Sequence, residues 1–299
     1  MLIKDFLQID PVEVSEKIVN FIRQKVETFE RDGIIVGLSG GLDSSCVAGL
    51  SVKAVGKDNV YGLIMPEKDS SKESAEYAQL LANQIEIKTQ VIDHAPILEK
   101  WNLYNLLSKQ DWEMGKAAFA HKRDIQGESA FTRYMSVQKG IKPRRLRKLF
   151  TYMNMKHRIR AATLYYYGER LNYLVIGASN KSEALTGWFV KYGDSATDIM
   201  PIRGLYKTQV KALSKYLNLP QQILEREPMP DFFPGLKDTF VFEMNYEQLD
   251  SALVGIEKGI SSELIIKETG VSISTIESIK KLMKITNHKR SLPEVPTSF

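Results

Sequence analysis

The run Gly33-Ile34-Ile35-Val36-Gly37-Leu38 holds six positions without a polar side chain and breaks at once into Ser39-Gly40-Gly41. A strand with one solvated face alternates apolar and polar residues. An unbroken apolar run this short therefore reads as a strand covered on both faces, the condition of a parallel sheet. Helical spacing over Ser44 to Val55 follows the glycine turn, and the strand-turn-helix unit sets the class of fold. Val60 to Met65, closed by Pro66, reads as a second strand, Lys88 to Ile92 as a third and Asn172 to Gly177 as a fourth. Asp198-Ile199-Met200-Pro201 is expected to be a fifth.

Helices alternate with these strands. Val14, Ile18, Ile22, Val26 and Phe29 recur at helical spacing before the first strand, Lys72 to Ile85 is helical, and the tail from Tyr246 reads as wholly helical. The expectation is an α/β fold: a doubly wound, Rossmann-like parallel sheet of five strands with helices on both faces. We expect one domain over 1–299, with a basic helical insertion at 101–150 and a helical C-terminal region at 246–299.

Composition narrows the function classes. The net charge is +5, but residues 101–160 hold fourteen Lys/Arg against four Asp/Glu, so the basic character is local. No apolar run approaches the roughly 20 residues that span a bilayer, and the acidic, amphipathic start does not resemble a signal peptide. The four histidines lack metal-ligand spacing, and Cys46 as sole cysteine excludes an internal disulfide and fits a reducing cytoplasm.

The turn itself carries the chemistry. In Ser39-Gly40-Gly41-Leu42-Asp43-Ser44-Ser45 two glycines allow a tight bend that gathers N–H groups around one concavity, to which the following helix adds its N-terminal partial charge. That suits pyrophosphate, although the Gly-Lys-Ser/Thr ending of a Walker A loop is absent. Asp43 belongs at a phosphate site if a divalent cation lies between them; otherwise it caps the helix.

This segment resembles the SGGxDS signature of ATP pyrophosphatases, and the likeness extends to the ammonia-dependent NAD synthetases. Met65 to Ser71, Asn154 to Arg160, Gly177 to Gly187, Trp188 to Asp194, Leu205 to Gln209 and His288-Lys289-Arg290 resemble that family's blocks in the family's order. The resemblance implies ATP held by Gly37, Ser39, Gly40, Gly41, Asp43, Ser44, Ser45, Met65, Arg160, Thr186 and Lys207, with Asp43 and Glu183 as magnesium ligands. It implies a substrate site at Asn154, Arg158, Lys191, Asp194, Asp198, His288 and Lys289, and catalytic roles for Asp43, Arg158 and Lys207. The implied reaction adenylylates a small-molecule carboxylate, and ammonia then displaces AMP. For Glu183 a helix-dipole role, and for Arg158 and Lys207 solvated surface charge, remain the plainer alternatives. No glutaminase segment is present, and Cys46 lies in the helix after the phosphate loop, so free ammonia or a separate ammonia-supplying protein is expected. The family's dinucleotide site implies a homodimer.

Three departures leave a second reading open. The family's Gly-Asp-Gly-Gly-x-Asp is Gly193-Asp194-Ser195-Ala196-Thr197-Asp198 here. The polar, acidic segment over the site is apolar and aromatic from 229 to 243, with Leu236 in place of glutamine. The insertion, with Lys142 to Lys148, is larger than usual and reads as a solvated helix or loop, an anion clamp, or a nucleic-acid contact. A paralogue amidating another carboxylate is the alternative function. An RNA-modifying enzyme is the weaker one, and nucleic acid is not expected: Ser262 to Met283 has a helix-turn-helix look but few base-reading side chains.

Overall fold

The computed structural model describes residues 2–113, 130–138, 144–228 and 241–296, with backbone alone for 130 and 144–146. The expectations for the 229–240 segment and for much of the basic insertion lie outside these residues. Four strands, β1 (Gly33–Gly37), β2 (Val60–Ile64), β3 (Lys88–Val91) and β4 (Tyr173–Ile176), form one parallel sheet in the order β3-β2-β1-β4.

The sheet has four strands rather than five. Where the fifth was expected there is one isolated parallel bridge, Ile176 to Ile199. Asp198 accounts for the shortfall. Its carboxylate accepts the Val175 N–H at 2.8 Å, where a further strand would present a main-chain carbonyl. Two residues after Ile199, Pro201 has no N–H to continue a ladder.

The helices are α1 (Pro11–Thr28), α2 (Leu42–Val55), α3 (Lys72–Gln84), α4 (Ala95–Lys100), α5 (Ala130–Gln138), α6 (Arg144–Leu171), α7 (Lys181–Thr186) and α8 (Lys207–Tyr216). α9 (Gln221–Glu225), α10 (Tyr246–Glu257), α11 (Ser262–Thr269), α12 (Ile273–Ile285) and α13 (Asn287–Arg290) complete the order. Ile34, Val36, Val60, Ile64, Leu174 and Ile176 point to one face of the sheet, where Ile22, Leu50, Leu81 and Leu213 of α1, α2, α3 and α8 bury them. Ile35, Leu63 and Val175 point to the other, against Leu164 and Tyr167 of α6. This period-two division supplies both faces from uniformly apolar strands, each buried aliphatic contributing about 1.5–3 kcal/mol. Among the described residues no helix is long and apolar enough to cross a membrane.

The C-terminal region is helical to Arg290 and then leaves helix at Ser291. α12 buries Ile276, Ile279 and Leu282 in a second core shared with Leu149 and Tyr152 of α6 and Phe131 and Tyr134 of α5. The described part of the insertion is thus packed into the body of the molecule. At one end of α1, Phe29 is 40% exposed; the helix closes at Thr28, and the fifth apolar position of the pattern faces solvent.

β1 lies between β2 and β4, so the chain winds away from it in both directions. The loops leaving the carboxyl ends of β1 and β4 diverge there, the place where open α/β sheets bind ligands.

Candidate active site

A cavity of about 750 Å³ opens at that divergence. Its floor is the loop after β1. Gly40 has φ +69°, and a Cβ there would meet the Ser74 carbonyl oxygen at 2.2 Å, so only glycine fits against the start of α3. The Ser44 and Ser45 hydroxyls donate to the Gly41 carbonyl at 3.2 and 2.7 Å, and the Ser39 and Ser44 hydroxyls lie 2.9 Å apart. Gly41 is the N-cap of α2 and provides no side-chain cap. The first turn of a 14-residue helix therefore offers its N–H groups and dipole to the cavity.

The loop after β4 supplies the facing wall. Asn180 caps α7 by accepting the Glu183 N–H at 3.0 Å, while its own N–H donates to the Glu183 carboxylate at 3.3 Å. Its side-chain amide donates to Asp43 at 3.2 Å. One asparagine thus connects the two carboxylates. The other Asp43 oxygen accepts from the Lys207 ammonium, in a largely buried ion pair.

Lys207 opens α8, whose N–H groups are already engaged. Lys207 N–H donates to the Ser182 hydroxyl at 3.0 Å and Thr208 N–H to Asp250 at 2.8 Å. Asp250 is fully buried in α10 and also accepts from Ser182 at 2.5 Å. Burial lifts its carboxyl to about 6 against these hydrogen bonds. α2 therefore presents bare N–H groups, and α8 is the anchored platform for an ammonium.

At the far end, Arg158 donates to the Lys191 carbonyl at 3.3 Å, and the Lys191 ammonium to the His288 carbonyl at 2.8 Å. The Lys289 ammonium donates to the carbonyls of Gly187, at 2.5 Å, and Phe189. Burial brings Lys289 down to about 8. Asp194 accepts the Val190 N–H at 2.6 Å, and His157, held neutral chiefly by burial, has Nδ1 3.9 Å from the other Asp194 oxygen. Tyr134, Phe150 and Trp188 add an aromatic wall, Tyr134 and Trp188 meeting edge to face at 5.0 Å.

The structure brings Gly37, Ser39, Gly41, Asp43, Ser44, Met65, Asn154, Arg158, Arg160, Glu183, Lys191, Asp194, Lys207, His288 and Lys289 to the cavity wall. Four expected residues stand elsewhere. Thr186 is buried and donates back to the Ser182 carbonyl at 2.7 Å, so its hydroxyl serves α7. Asp198 lies at the sheet edge, accepting from Val175 and, at 3.1 Å, from Tyr165. Ser45 is fully buried behind the loop, and Gly40, which does not line the cavity, gives its carbonyl to Arg226, which does. Cys46 is buried, its thiol pushed up to about 12, as a packing residue would be.

Sequence reasoning missed the network beneath the Met65–Ser71 segment. The Lys156 ammonium, fully buried, donates to Glu67 at 3.0 Å and Asp69 at 2.5 Å. Tyr104 donates to Glu67 at 2.9 Å and Tyr152 to Asp69 at 2.5 Å. Arg160, one turn further along α6, donates to the Met65 carbonyl at 3.1 Å and the Ser70 hydroxyl at 3.3 Å. Asn180 was missed as well, although Asn-x-x-Glu before a helix is a capping-box signal.

Asp43 and Glu183 suit a magnesium ion. They are hard oxygen donors on opposite walls, joined through Asn180 beside a bare helix N-terminus. A pair of carboxylates completed by phosphate oxygens is how magnesium is usually held. Among the described residues no group of three or more His, Cys, Asp or Glu offers a metal site.

The NAD synthase family model matches residues 14–123 and 120–293. An NH3-dependent NAD+ synthetase of Methanocaldococcus jannaschii is 38% identical over 95% of this chain and 96% of its own length. Among solved structures, an NMN synthetase from Francisella tularensis superposes with a TM-score of 0.72 at 26% identity, over 97% of this chain and all of the other. An NH3-dependent NAD synthetase from Campylobacter jejuni gives 0.69 at 28%, over 96% of this chain and all of the other.

Proposed function

The chain belongs to the NAD synthase family, and we propose that it forms a carboxamide from a pyridine-nucleotide carboxylate, ATP and ammonia. The preferred acceptor is the deamido form of NAD. The observation that carries this reading is the meeting of Asp43, Glu183 and Lys207 at the uncapped N-terminus of α2. That arrangement is built to hold a triphosphate, and the cationic far end to hold a second anionic substrate.

In the first step a substrate carboxylate oxygen attacks the α-phosphorus of ATP, and the bond to pyrophosphate breaks. The α2 N–H groups and Lys207 stabilise the charge that accumulates on the departing phosphates, fixed in place before reaction. A magnesium ion, which Asp43 and Glu183 would hold, would neutralise charge on that leaving group. Ammonia then attacks the acyl carbon, AMP leaves and the nitrogen loses a proton. Arg158, Lys191, His288 and Lys289 orient the acceptor, so the protein acts by positioning and charge. No side-chain nucleophile is needed, and Cys46 is too deeply buried to be one.

The likeness to the Francisella tularensis NMN synthetase favours a mononucleotide acceptor as a second reading. Of the two residues replacing the family's glycine pair, Ser195 turns its hydroxyl back to the Val190 carbonyl at 2.9 Å, and Ala196 lines the cavity. The acceptor end has therefore lost a flexible peptide and gained a methyl group.

A homodimer fits the face of the sheet beyond α6. Tyr166, 54% exposed, and Leu171, 39% exposed, stand on α6 there, and Tyr165, next in sequence to Tyr166, donates to Asp198. A single, buried cysteine suits the cytoplasm. Free ammonia, or ammonia passed by a separate protein, supplies the nitrogen.

The test is pyrophosphate release with ATP, magnesium and ammonium, with deamido-NAD or nicotinic acid mononucleotide as acceptor. Amide product matching pyrophosphate with the dinucleotide supports the first reading; preference for the mononucleotide supports the second. Stimulation by neither overturns both.

A further inference from the structure

Arg226, the C-cap of α9, lies 186 positions from Gly40 in the sequence and touches it in the fold. Its guanidinium donates to the Gly40 carbonyl at 3.1 Å through one nitrogen. Through another it donates to the Ser74 hydroxyl at 2.7 Å and the Ser71 hydroxyl at 3.3 Å. The plane lies over the Tyr77 ring, 5.5 Å from its centroid. The fork is thus held on one side by the first turn of α3 and grips the phosphate loop with the other.

The grip falls on a peptide whose orientation matters. In a trans peptide the C=O and the next N–H point in opposite directions. With the Gly40 carbonyl held by Arg226, the Gly41 N–H points the opposite way, where it donates to the cavity-lining Ser39 hydroxyl at 3.3 Å. Gly40 and Gly41 have no side chains to resist a flip of this peptide, and φ +69° at Gly40 leaves its two faces open to glycine alone. The next carbonyl, that of Gly41, is fixed from within by Ser44 and Ser45. The Gly40 carbonyl has Arg226.

We propose that Arg226 is a positioning residue that sets the Gly40–Gly41 peptide so that the Gly41 N–H faces the pyrophosphate end of the nucleotide. The inference rests on the reading of this loop as the ATP phosphate site. A flipped peptide would present a carbonyl oxygen to an anion, replacing one donor by a repulsive dipole. Lysine at 226 keeps the charge but lacks the planar fork that spans Gly40 and Ser74 together.

The test compares Arg226→Ala, Arg226→Lys and Ser74→Ala by equilibrium binding of pyrophosphate and of AMP, each with magnesium, and by the kinetics of pyrophosphate release. Both Arg226 variants should weaken pyrophosphate binding and lower kcat/KM for ATP by about 10- to 100-fold. AMP affinity and KM for ammonium should stay within twofold, and Ser74→Ala, which loosens the fork without removing it, should fall in between. An Arg226→Lys enzyme with ordinary pyrophosphate affinity overturns the proposal, because charge alone would then suffice. So does equal weakening of AMP and pyrophosphate, which would mark a general loss of fold. If an Arg226 variant fails to fold, Ser74→Ala decides: unchanged pyrophosphate affinity refutes the proposal, and weakened pyrophosphate with unchanged AMP supports it. Failure of the unaltered protein to bind ATP or pyrophosphate sinks the reading of the loop instead, and the two failures are separable.

Discussion

Replacing Lys156 by methionine removes a buried cation from between two carboxylates and leaves similar volume behind. Glu67 and Lys156 have side chains with no solvent exposure, and Asp69 retains 18%. Tyr104 and Tyr152 would still donate to the two acids, but no counter-charge would remain within the contact. Breaking a buried ion pair from one side costs about 3–5 kcal/mol, because the stranded charge cannot reach water. Against a total stability of about 5–15 kcal/mol this is a large fraction, equivalent to a fall of about 10 °C in Tm. Urea unfolding followed by circular dichroism measures it. The companion is Glu67→Gln in the Lys156→Met background: one stranded charge is gone, and about half the loss should return. A single variant within about 1 kcal/mol of the parent, or a double variant no better than the single, refutes the reasoning. Activity should report the same event, since Lys156 holds the segment that Arg160 grips at Met65 and Ser70.

Asp43→Asn should lower the rate of pyrophosphate release by about 10²–10³-fold in a protein that still folds, as circular dichroism would show; near-normal turnover would remove Asp43 from the metal site. Gly40→Ala should cost more than about 1 kcal/mol, because its φ is positive and its Cβ would strike the Ser74 carbonyl, and thermal unfolding beside the parent measures it. Asp250 gives a pH signature. Its carboxyl is raised from 3.8 to about 6 in the folded state, so the fold binds that proton more tightly than the unfolded chain does. The associated stability is complete below pH 4 and is lost as pH rises through 6, in total about 3 kcal/mol. Asp250→Asn should abolish that fall, as urea titrations at pH 4.5 and 7.5 would read; an identical fall in the variant contradicts the assignment.

Local signals made the framework legible. The unbroken apolar run predicted β1, the glycine pair predicted the turn, and period-two placement around Ile35 explains why both faces had to be covered. The fifth strand failed because Asp198 takes a ladder position with its side chain, a substitution that strand-like spacing does not reveal. Thr186 and Ser45 sit in motif positions, yet their hydroxyls bond carbonyls of their own segments, and that choice depends on which way each helix faces. Asp250 and Arg226 carried no local mark. Each acts on a helix or loop far away in the chain, so its partner becomes known only when the chain is folded. Asn180 lay between these extremes: its cap was readable, whereas its reach to Asp43 was not.

The central pairing also has a temporal consequence. Ile35 meets Val175 across 140 residues, and Asp250 arrives later still to secure the helix that carries Lys207. During synthesis from the N-terminus, the Ser39–Gly41 turn and Asp43 emerge long before Asn180, Lys207 or the α10 helix. Contacts this remote in sequence are slow to close. The nascent chain therefore carries half a nucleotide cradle for most of its elongation, with neither the second carboxylate nor the ammonium beside it. Competence to use ATP is gained late, once β4 has docked beside β1 and α8 and α10 have followed it, and a chain truncated before Lys207 would lack the ammonium of the cradle.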